Sequence, residues 1–287
     1  MMMKTRTTIS PTTNNVLAEK GRRLHEILAG YESVLIAFSG GVDSAYLAIA
    51  AAESLGERAL AVTADSPSYP DTHRQLALSI ASNFGFAHEL INTAELDRPE
   101  YRANPANRCY YCKDELYSRL SAIATERGIS VVVDGNNADD RGDHRPGRQA
   151  AREAGVRSPL DEVGLDKASI RALARRAGLP QWDEPASACL SSRVPYDQAV
   201  TPEKLRAIEQ AETALRGLGF RGCRVRHHDD VARLELARGD LARAVEPETA
   251  KAIAAAVKAA GFRYVALDIE GYRTGSLNDR IPLRVIG

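Results

Sequence analysis

The sequence predicts an α/β protein: a parallel sheet with helices on both faces, followed by a smaller α+β domain. Three observations carry this. Apolar runs alternate with helical patterns from Val34 to Asp134, the signature of βα units whose strands run parallel. The first strand meets its helix through a glycine turn, Phe38-Ser39-Gly40-Gly41-Val42-Asp43-Ser44. From Thr201 the order changes to helix, two strands, helix, strand. The expected organisation is a disordered N-terminus over 1–15, the α/β domain over 16–182, a connector over 183–200 and the α+β domain over 201–287.

The elements follow in order. Val34 to Ala37 is a short apolar strand, and Tyr46 to Leu55 is helical with Leu47, Ala51 and Leu55 on one face. Gly56 is a natural stop, and Ala59 to Asp65 reads as a second buried strand. Ser66-Pro67-Ser68-Tyr69-Pro70 is a loop, after which Thr72 and Gln75 suggest a capping box for a helix carrying Leu76, Ile80 and Phe84. Ala87 to Ile91 is the third strand, Lys113 to Arg127 a helix, and Ile129 to Asp134 the fourth strand. Arg145-Pro146-Gly147-Arg148 begins a short helix, and Ser158-Pro159-Leu160 reads as a strand end. Asp166 caps another helix, closed by Gly178 and Pro180, with Trp182 as a domain-interface anchor beyond it. Thr201 caps a helix with Pro202 at its first position. Cys223 to His228 and Val231 to Leu236 form a hairpin across Asp229-Asp230, before a helix from Pro247 to about Ala260 and a strand, Tyr264 to Leu267.

The chain has 287 residues, with 38 basic against 38 acidic side chains and 44% hydrophobic content. Zero net charge argues against a dedicated nucleic-acid binder. No apolar run approaches the roughly 20 residues that span a bilayer, and the polar, Thr-rich start has no signal-peptide core. A cytoplasmic location is expected, so Cys109, Cys112, Cys189 and Cys223 point to metal or sulfur chemistry rather than a disulfide framework.

In a parallel sheet, ligands sit at the carboxyl ends of the strands. That edge carries Ser39 to Ser44, Thr63 to Ser66 and Asp134 to Asp140. Paired glycines followed by a helix start expose backbone N–H groups and the positive end of a dipole, which suits a phosphate. The turn is neither a Walker A loop nor a dinucleotide fingerprint, because neither Gly-Lys-Ser/Thr nor Gly-x-Gly-x-x-Gly is present there. Ser-Gly-Gly-Val-Asp-Ser resembles the PP-loop of the ATP pyrophosphatases. Those enzymes split ATP between its α and β phosphates to activate a substrate oxygen. The expected ATP set is Ala37, Ser39, Gly40, Gly41, Asp43, Ser44, Thr63, Ser66, Gly135 and Asp139, with Asp43 implied by the resemblance as a Mg²⁺ holder.

Cys189 lies among small and hydroxylic residues, with Arg193 four positions on, as around a reactive sulfur; Arg193 or the serines would lower the thiol pKa. The alternative is a buried, inert cysteine. On the first hairpin strand, alternation puts Arg224, Arg226 and His228 on one face, a cationic set suited to phosphate or carboxylate. A solvated strand face is the plainer reading.

Taken together, the glycine turn, Arg108-Cys109-Tyr110-Tyr111-Cys112-Lys113, Asp134 to Asp140, Arg145-Pro146-Gly147, Ser158-Pro159-Leu160, Cys189-Leu190-Ser191-Ser192-Arg193 and Arg224-Val225-Arg226 resemble the LarE family over about Ala18 to Asp279. LarE enzymes are ATP-dependent sulfur transferases of nickel-pincer cofactor biosynthesis. The resemblance implies a substrate, pyridinium-3,5-biscarboxylic acid mononucleotide, whose carboxylates are adenylated and then converted to thiocarboxylates. It implies that Ser192, Arg224 and Arg226 hold the substrate phosphate and that Cys189 bears the sulfur. It also implies a homo-oligomer, a hexamer. Members with one cysteine sacrifice its sulfur; this chain adds Cys109 and Cys112, as do members that resemble cluster-dependent thiolases. The expectation is therefore a [4Fe–4S] cluster on Cys109, Cys112 and Cys189, loaded by sulfide or another sulfur donor. Structural zinc, with Cys223 or a histidine as fourth ligand, and a redox pair are the alternatives. A tRNA-thiolating or an amidating PP-loop enzyme, or a non-catalytic nucleotide sensor, are the competing functions.

Overall fold

A computed structural model describes residues 11–142, 146–184 and 188–273. The described elements, in chain order, begin with helix α1 (Pro11–Ala29), strand β1 (Val34–Ala37), α2 (Val42–Leu55), β2 (Ala59–Asp65), α3 (Asp71–Phe84) and β3 (Ala87–Asn92). There follow α4 (Pro99–Arg102), α5 (Arg108–Arg127), β4 (Val131–Val133), α6 (Pro146–Glu153), α7 (Pro159–Glu162) and α8 (Lys167–Arg176). The last group is α9 (Pro202–Gly217), β5 (Cys223–His228), β6 (Val231–Leu236), α10 (Leu241–Ala244), α11 (Pro247–Ala259) and β7 (Tyr264–Leu267).

Two compact units result, and the chain visits them out of order. The first takes Met1–Asp65, Asp71–Thr93 and Lys113–Ala186; the second takes Ser66–Pro70, Ala94–Cys112 and Ser187–Gly287. The division is not the simple succession that the sequence predicts. Two short central segments instead join the C-terminal unit, and helix α5 crosses the boundary after its first five residues.

The first unit holds a four-stranded parallel sheet in the order β3-β2-β1-β4. Strand β1 is buried at all four positions, as an apolar run between two helical layers must be. Leu24, Leu28, Leu47, Ile49, Leu160 and Leu165 are among the residues that close the core around it. Trp182 packs against that core, with Arg175 stacked 5.0 Å from its ring centre. The second unit holds a three-stranded sheet in the order β5-β6-β7, antiparallel then parallel. Leu205, Ile208 and Leu215 of α9 pack with Val225, Leu234 and Val257 to form its core.

Several local expectations change. Helix α1 begins at Pro11, so it covers the end of the stretch expected to be disordered; residues 1–10 lie outside the described residues. Helix α3 starts at Asp71, which puts Thr72 inside it and leaves no capping box there. Ser158-Pro159-Leu160 opens the short helix α7, because Pro159 suits a first helical turn; only Arg157 bridges to β4, opposite Val133. Arg145, Ala186 and Ser187 lie outside the described residues. The caps at Asp166 and Thr201 are as read: their side chains accept from Ser169 N at 2.7 Å and Lys204 N at 3.4 Å.

Candidate functional site

In the first unit, β1 ends at Ala37 and the chain turns through Ser39, Gly40 and Gly41 into α2. Gly40 has φ +71°, and a Cβ there would stand 3.2 Å from Ala77 Cβ and 3.3 Å from Ala77 N. Both the backbone conformation and the contact call for glycine. Gly41 is the N-cap, so no side chain caps the helix, and its first N–H groups point out of the turn. The hydroxyls brace the loop. Ser39 N donates to Ser44 Oγ at 3.2 Å, Ser44 Oγ donates to Gly41 O at 3.1 Å, and the two hydroxyls are 3.1 Å apart. Strand β4 delivers Gly135 against the same turn: a Cβ at Gly135 would lie 2.9 Å from Ser44 N.

The segment after β4 supplies the carboxylates. Asn137 Nδ2 donates to Asp43 Oδ2 at 3.1 Å, and Lys167 Nζ, from the start of α8, donates to the same oxygen. The other oxygen, Asp43 Oδ1, is buried and has no hydrogen-bond partner. Burial pushes the Asp43 carboxyl above the ordinary carboxylate range; Lys167 opposes that shift and the nearby Asp140 charge adds to it. Asp139 accepts from Lys167 N at 2.9 Å and Asp140 from Asn137 N at 3.0 Å. Thr63 is buried behind the loop, where its hydroxyl donates to Phe38 O at 2.7 Å and meets His88 Nε2 at 2.9 Å. Ser66 falls in the second unit, where its hydroxyl donates to the buried Glu95 carboxylate at 2.5 Å.

All four cysteines belong to the second unit. Cys109 and Cys112 lie in the first turns of α5, not in a turn before a helix as expected, so they are neighbours three residues apart on one face. Cys109 is exposed; Cys112 and Cys189 are partly exposed. Cys189 is the N-cap of a single turn over Leu190–Arg193. Arg193 is fully buried and forks onto Glu212, with Nε to Oε1 at 2.9 Å and Nη2 to Oε2 at 3.2 Å. Its Nη1 donates to the carbonyls of Ala188 at 2.5 Å and Cys189 at 2.8 Å. This arginine thus binds the Ala188 and Cys189 carbonyls, the Ser192 hydroxyl and the Glu212 carboxylate, which fixes the path of the Cys189 segment. Ser192 Oγ donates to Cys189 O at 2.7 Å. Cys223 is buried in the core, and burial with the Glu212 charge pushes its thiol up to about 11.

The arginine strand is not the solvated face the plainer reading supposed. Arg226 is 7% exposed and grips the buried Glu235 through Nε at 3.0 Å and Nη2 at 2.8 Å, while its Nη1 donates to Ser192 O at 2.7 Å. Arg224 is partly exposed, stacks 5.1 Å from the Tyr272 ring centre and donates to Cys223 O at 2.8 Å. Ser192 and Arg226 are thus joined, with Cys189 bound to Ser192.

Two partners, Glu212 and Lys167, are absent from the sequence-predicted set. Glu212 was detectable, since it shares the α9 stripe of Leu205, Ile208 and Leu215, and a carboxylate on a core stripe needs a cation. Lys167 carried no signal, because its ammonium reaches Asp43 only through the fold.

A parallel sheet with a serine–glycine loop at the carboxyl end of β1, and an orphaned carboxylate oxygen beside it, defines the class as a PP-loop type α/β protein. No family model matches the chain. Curated relatives do. An uncharacterised protein of Synechocystis is 43% identical over 263 residues, covering 92% of this chain and 98% of its own. The pyridinium-3,5-bisthiocarboxylic acid mononucleotide synthase of Lactiplantibacillus plantarum is 36% identical over 266 residues, 92% of this chain and 96% of its own. An uncharacterised protein of Methanocaldococcus jannaschii is 27% identical over 243 residues. The chain belongs to the LarE family, the family of that synthase, and is an enzyme of it.

Proposed function

We propose that this protein is an ATP-dependent sulfur transferase that converts the carboxylates of pyridinium-3,5-biscarboxylic acid mononucleotide to thiocarboxylates. The observation that carries the reading is the gathering of Cys109, Cys112 and Cys189 in one unit of a chain whose other unit bears the phosphate loop. An amidating enzyme on the same loop has no use for three thiols.

In this reading the helix start at Gly41, with Ser39 and Ser44, receives the ATP phosphates; Ala37, Gly40, Thr63, Gly135 and Asp139 complete the nucleotide site within the first unit. The unpartnered Asp43 Oδ1 fits a hard cation, with the Asp140 carboxylate close enough to act on the same group. Mg²⁺ held there would neutralise phosphate charge. A substrate carboxylate oxygen attacks the α-phosphorus and pyrophosphate leaves. A sulfide then attacks the acyl carbon, AMP leaves with the oxygen, and sulfur takes its place with no net redox change. Two rounds give the dithio product. Arg224 has the exposure to take the substrate phosphate, while Arg226 and Ser192 shape the site from a fixed frame.

The donor set at the thiols fits an iron–sulfur cluster. Among the described residues, no three His, Cys, Asp or Glu side chains form a group able to hold one metal ion. A cubane differs, because each thiolate binds a different iron and the sulfurs need not converge. A [4Fe–4S] cluster on three thiolates leaves one iron open for exchangeable sulfide. Cys109, Cys112 and Cys189 would hold it without being consumed. The four free cysteines suit a cytoplasmic protein, among the described residues no helix is long and apolar enough to cross a membrane, and a hexamer is the assembly the family implies.

The test is release of AMP and pyrophosphate that depends on the mononucleotide. Asp43→Ala should abolish it; wild-type turnover by that variant contradicts the loop assignment. Anaerobic reconstitution, iron and sulfide analysis and intact mass after turnover test the carrier. Absence of iron together with loss of one H₂S from Cys189 would establish the sacrificial alternative.

A further inference from the structure

The segment that brings the third thiol to the other two is fixed by a buried cation outside the substrate and nucleotide sets. Arg108 opens α5, immediately before Cys109, and is 3% exposed. Its Nη1 donates to Ser191 O at 2.9 Å and also to Asn104 Oδ1. Asn104 is fully buried in a left-handed conformation, φ 56°, and its Nδ2 donates to Pro195 O at 2.6 Å and Val194 O at 3.3 Å. Tyr101, from α4, meets Ser191 Oγ at 2.6 Å; both are fully buried. Backbone bonds extend the seam, from Asp197 N to Asn104 O at 3.0 Å and from Val200 N to Arg102 O at 2.9 Å. Every group here belongs to the second unit.

The seam ties residues 101–108 to residues 191–200. One side carries Cys109 and Cys112 directly on its helix; the other carries Cys189 two residues upstream of Ser191. Cys109 and Cys189 both act electrostatically on Arg108, and Cys112 and Cys189 on Tyr101. A buried guanidinium left unpaired would be costly, so this one is held by its acceptors, Ser191 O and Asn104 Oδ1.

We propose that Arg108 is a positioning residue for the sulfur site: its guanidinium clamps the Cys189 segment to the first turn of α5 and so holds the three thiols in one place. Lysine would keep the charge but not the fork, and glutamine would keep one hydrogen bond but not the charge. The inference rests on the three-thiol reading above.

The test uses full-length Arg108→Gln and Arg108→Lys beside the wild type, with thermal unfolding of the metal-free proteins as a control for folding. A short bifunctional thiol crosslinker is applied to metal-free protein, and Cys189–Cys109 and Cys189–Cys112 links are counted by peptide mass. Iron uptake is measured separately by anaerobic reconstitution. The expected result is at least a tenfold loss of crosslink yield and loss of iron uptake in Arg108→Gln, with partial recovery of both in Arg108→Lys. If Arg108→Gln does not fold, Arg108→Lys is scored alone and should fall below wild type in both measurements. Folded variants with wild-type crosslinking and wild-type iron overturn the proposal, even with a cluster present in all of them. If no protein takes up iron but crosslinking falls as stated, the cluster reading fails and the positioning role stands.

Discussion

Replacing Gly135 by alanine should damage the phosphate loop without touching any group that carries charge. The new Cβ would stand 2.9 Å from Ser44 N and 3.1 Å from Ser44 Cα, both backbone atoms of the helix that opens the loop. Neither can rotate away, so strand end or loop must shift. Forcing a methyl group into a packed position of this kind costs about 1–3 kcal/mol. If the loop yields, the cost appears as weaker nucleotide binding, roughly 5- to 150-fold at about 1.4 kcal/mol per factor of ten. If it does not yield, the same energy lowers the melting temperature by about 2–4 °C for each kcal/mol. Calorimetric titration with ATP and thermal unfolding together capture either outcome. Gly217→Ala is the control, because nothing lies within 4 Å of its Cβ position at the end of α9. That variant should bind as the wild type does and melt at or slightly above its temperature, since alanine suits a helix better than glycine. A Gly135→Ala protein with wild-type affinity and wild-type melting would refute the packing argument and the loop's dependence on it.

Lys167→Met removes the ammonium bound to Asp43, so nucleotide-free protein should bind Mn²⁺ more tightly by electron paramagnetic resonance; unchanged binding contradicts a competition between ammonium and metal. Burial would raise the Glu212 carboxyl, but Arg193 overrides it and the net shift is downward. A depressed folded pKa stabilises above the unfolded value of about 4.3 and that contribution is lost as pH falls through the folded value; Glu212→Gln should therefore flatten the acid limb of stability measured by denaturant titration, and an unchanged limb contradicts the pairing. Arg224→Ala should weaken mononucleotide binding by about 1.5–3 kcal/mol and leave stability intact. Arg226→Ala removes two bonds to the buried Glu235, which keeps Arg233 at 3.1 Å, and should cost about 1–3 kcal/mol of stability; the reverse pattern would overturn these two roles.

Local chemistry was legible wherever one stretch determines its own conformation. The βα alternation from Val34 onward, the glycine turn, the Asp166 and Thr201 caps and the Asp229-Asp230 hairpin each follow from neighbouring residues. The family was legible because its motifs are contiguous strings. The division into units was not, since nothing in residues 66–70 or 94–112 announces that they pack with a domain that begins many residues later. The same blindness applies to ion pairs. Two arginines on an alternating strand read as open anion ligands, but Arg226 is occupied by Glu235 from the adjoining strand, a partner fixed by sheet register. Lys167 reaches Asp43, and Arg108 reaches Ser191, across separations no periodicity encodes.

The most direct test of the central claim is the mass of the product. The protein, reconstituted without oxygen, is incubated with ATP, Mg²⁺, sulfide and pyridinium-3,5-biscarboxylic acid mononucleotide, and the small molecules are analysed by high-resolution mass spectrometry. The account predicts exchange of one and then two carboxylate oxygens for sulfur, with one AMP formed per exchange. An unchanged mononucleotide, or an amide in place of a thiocarboxylate, would contradict it.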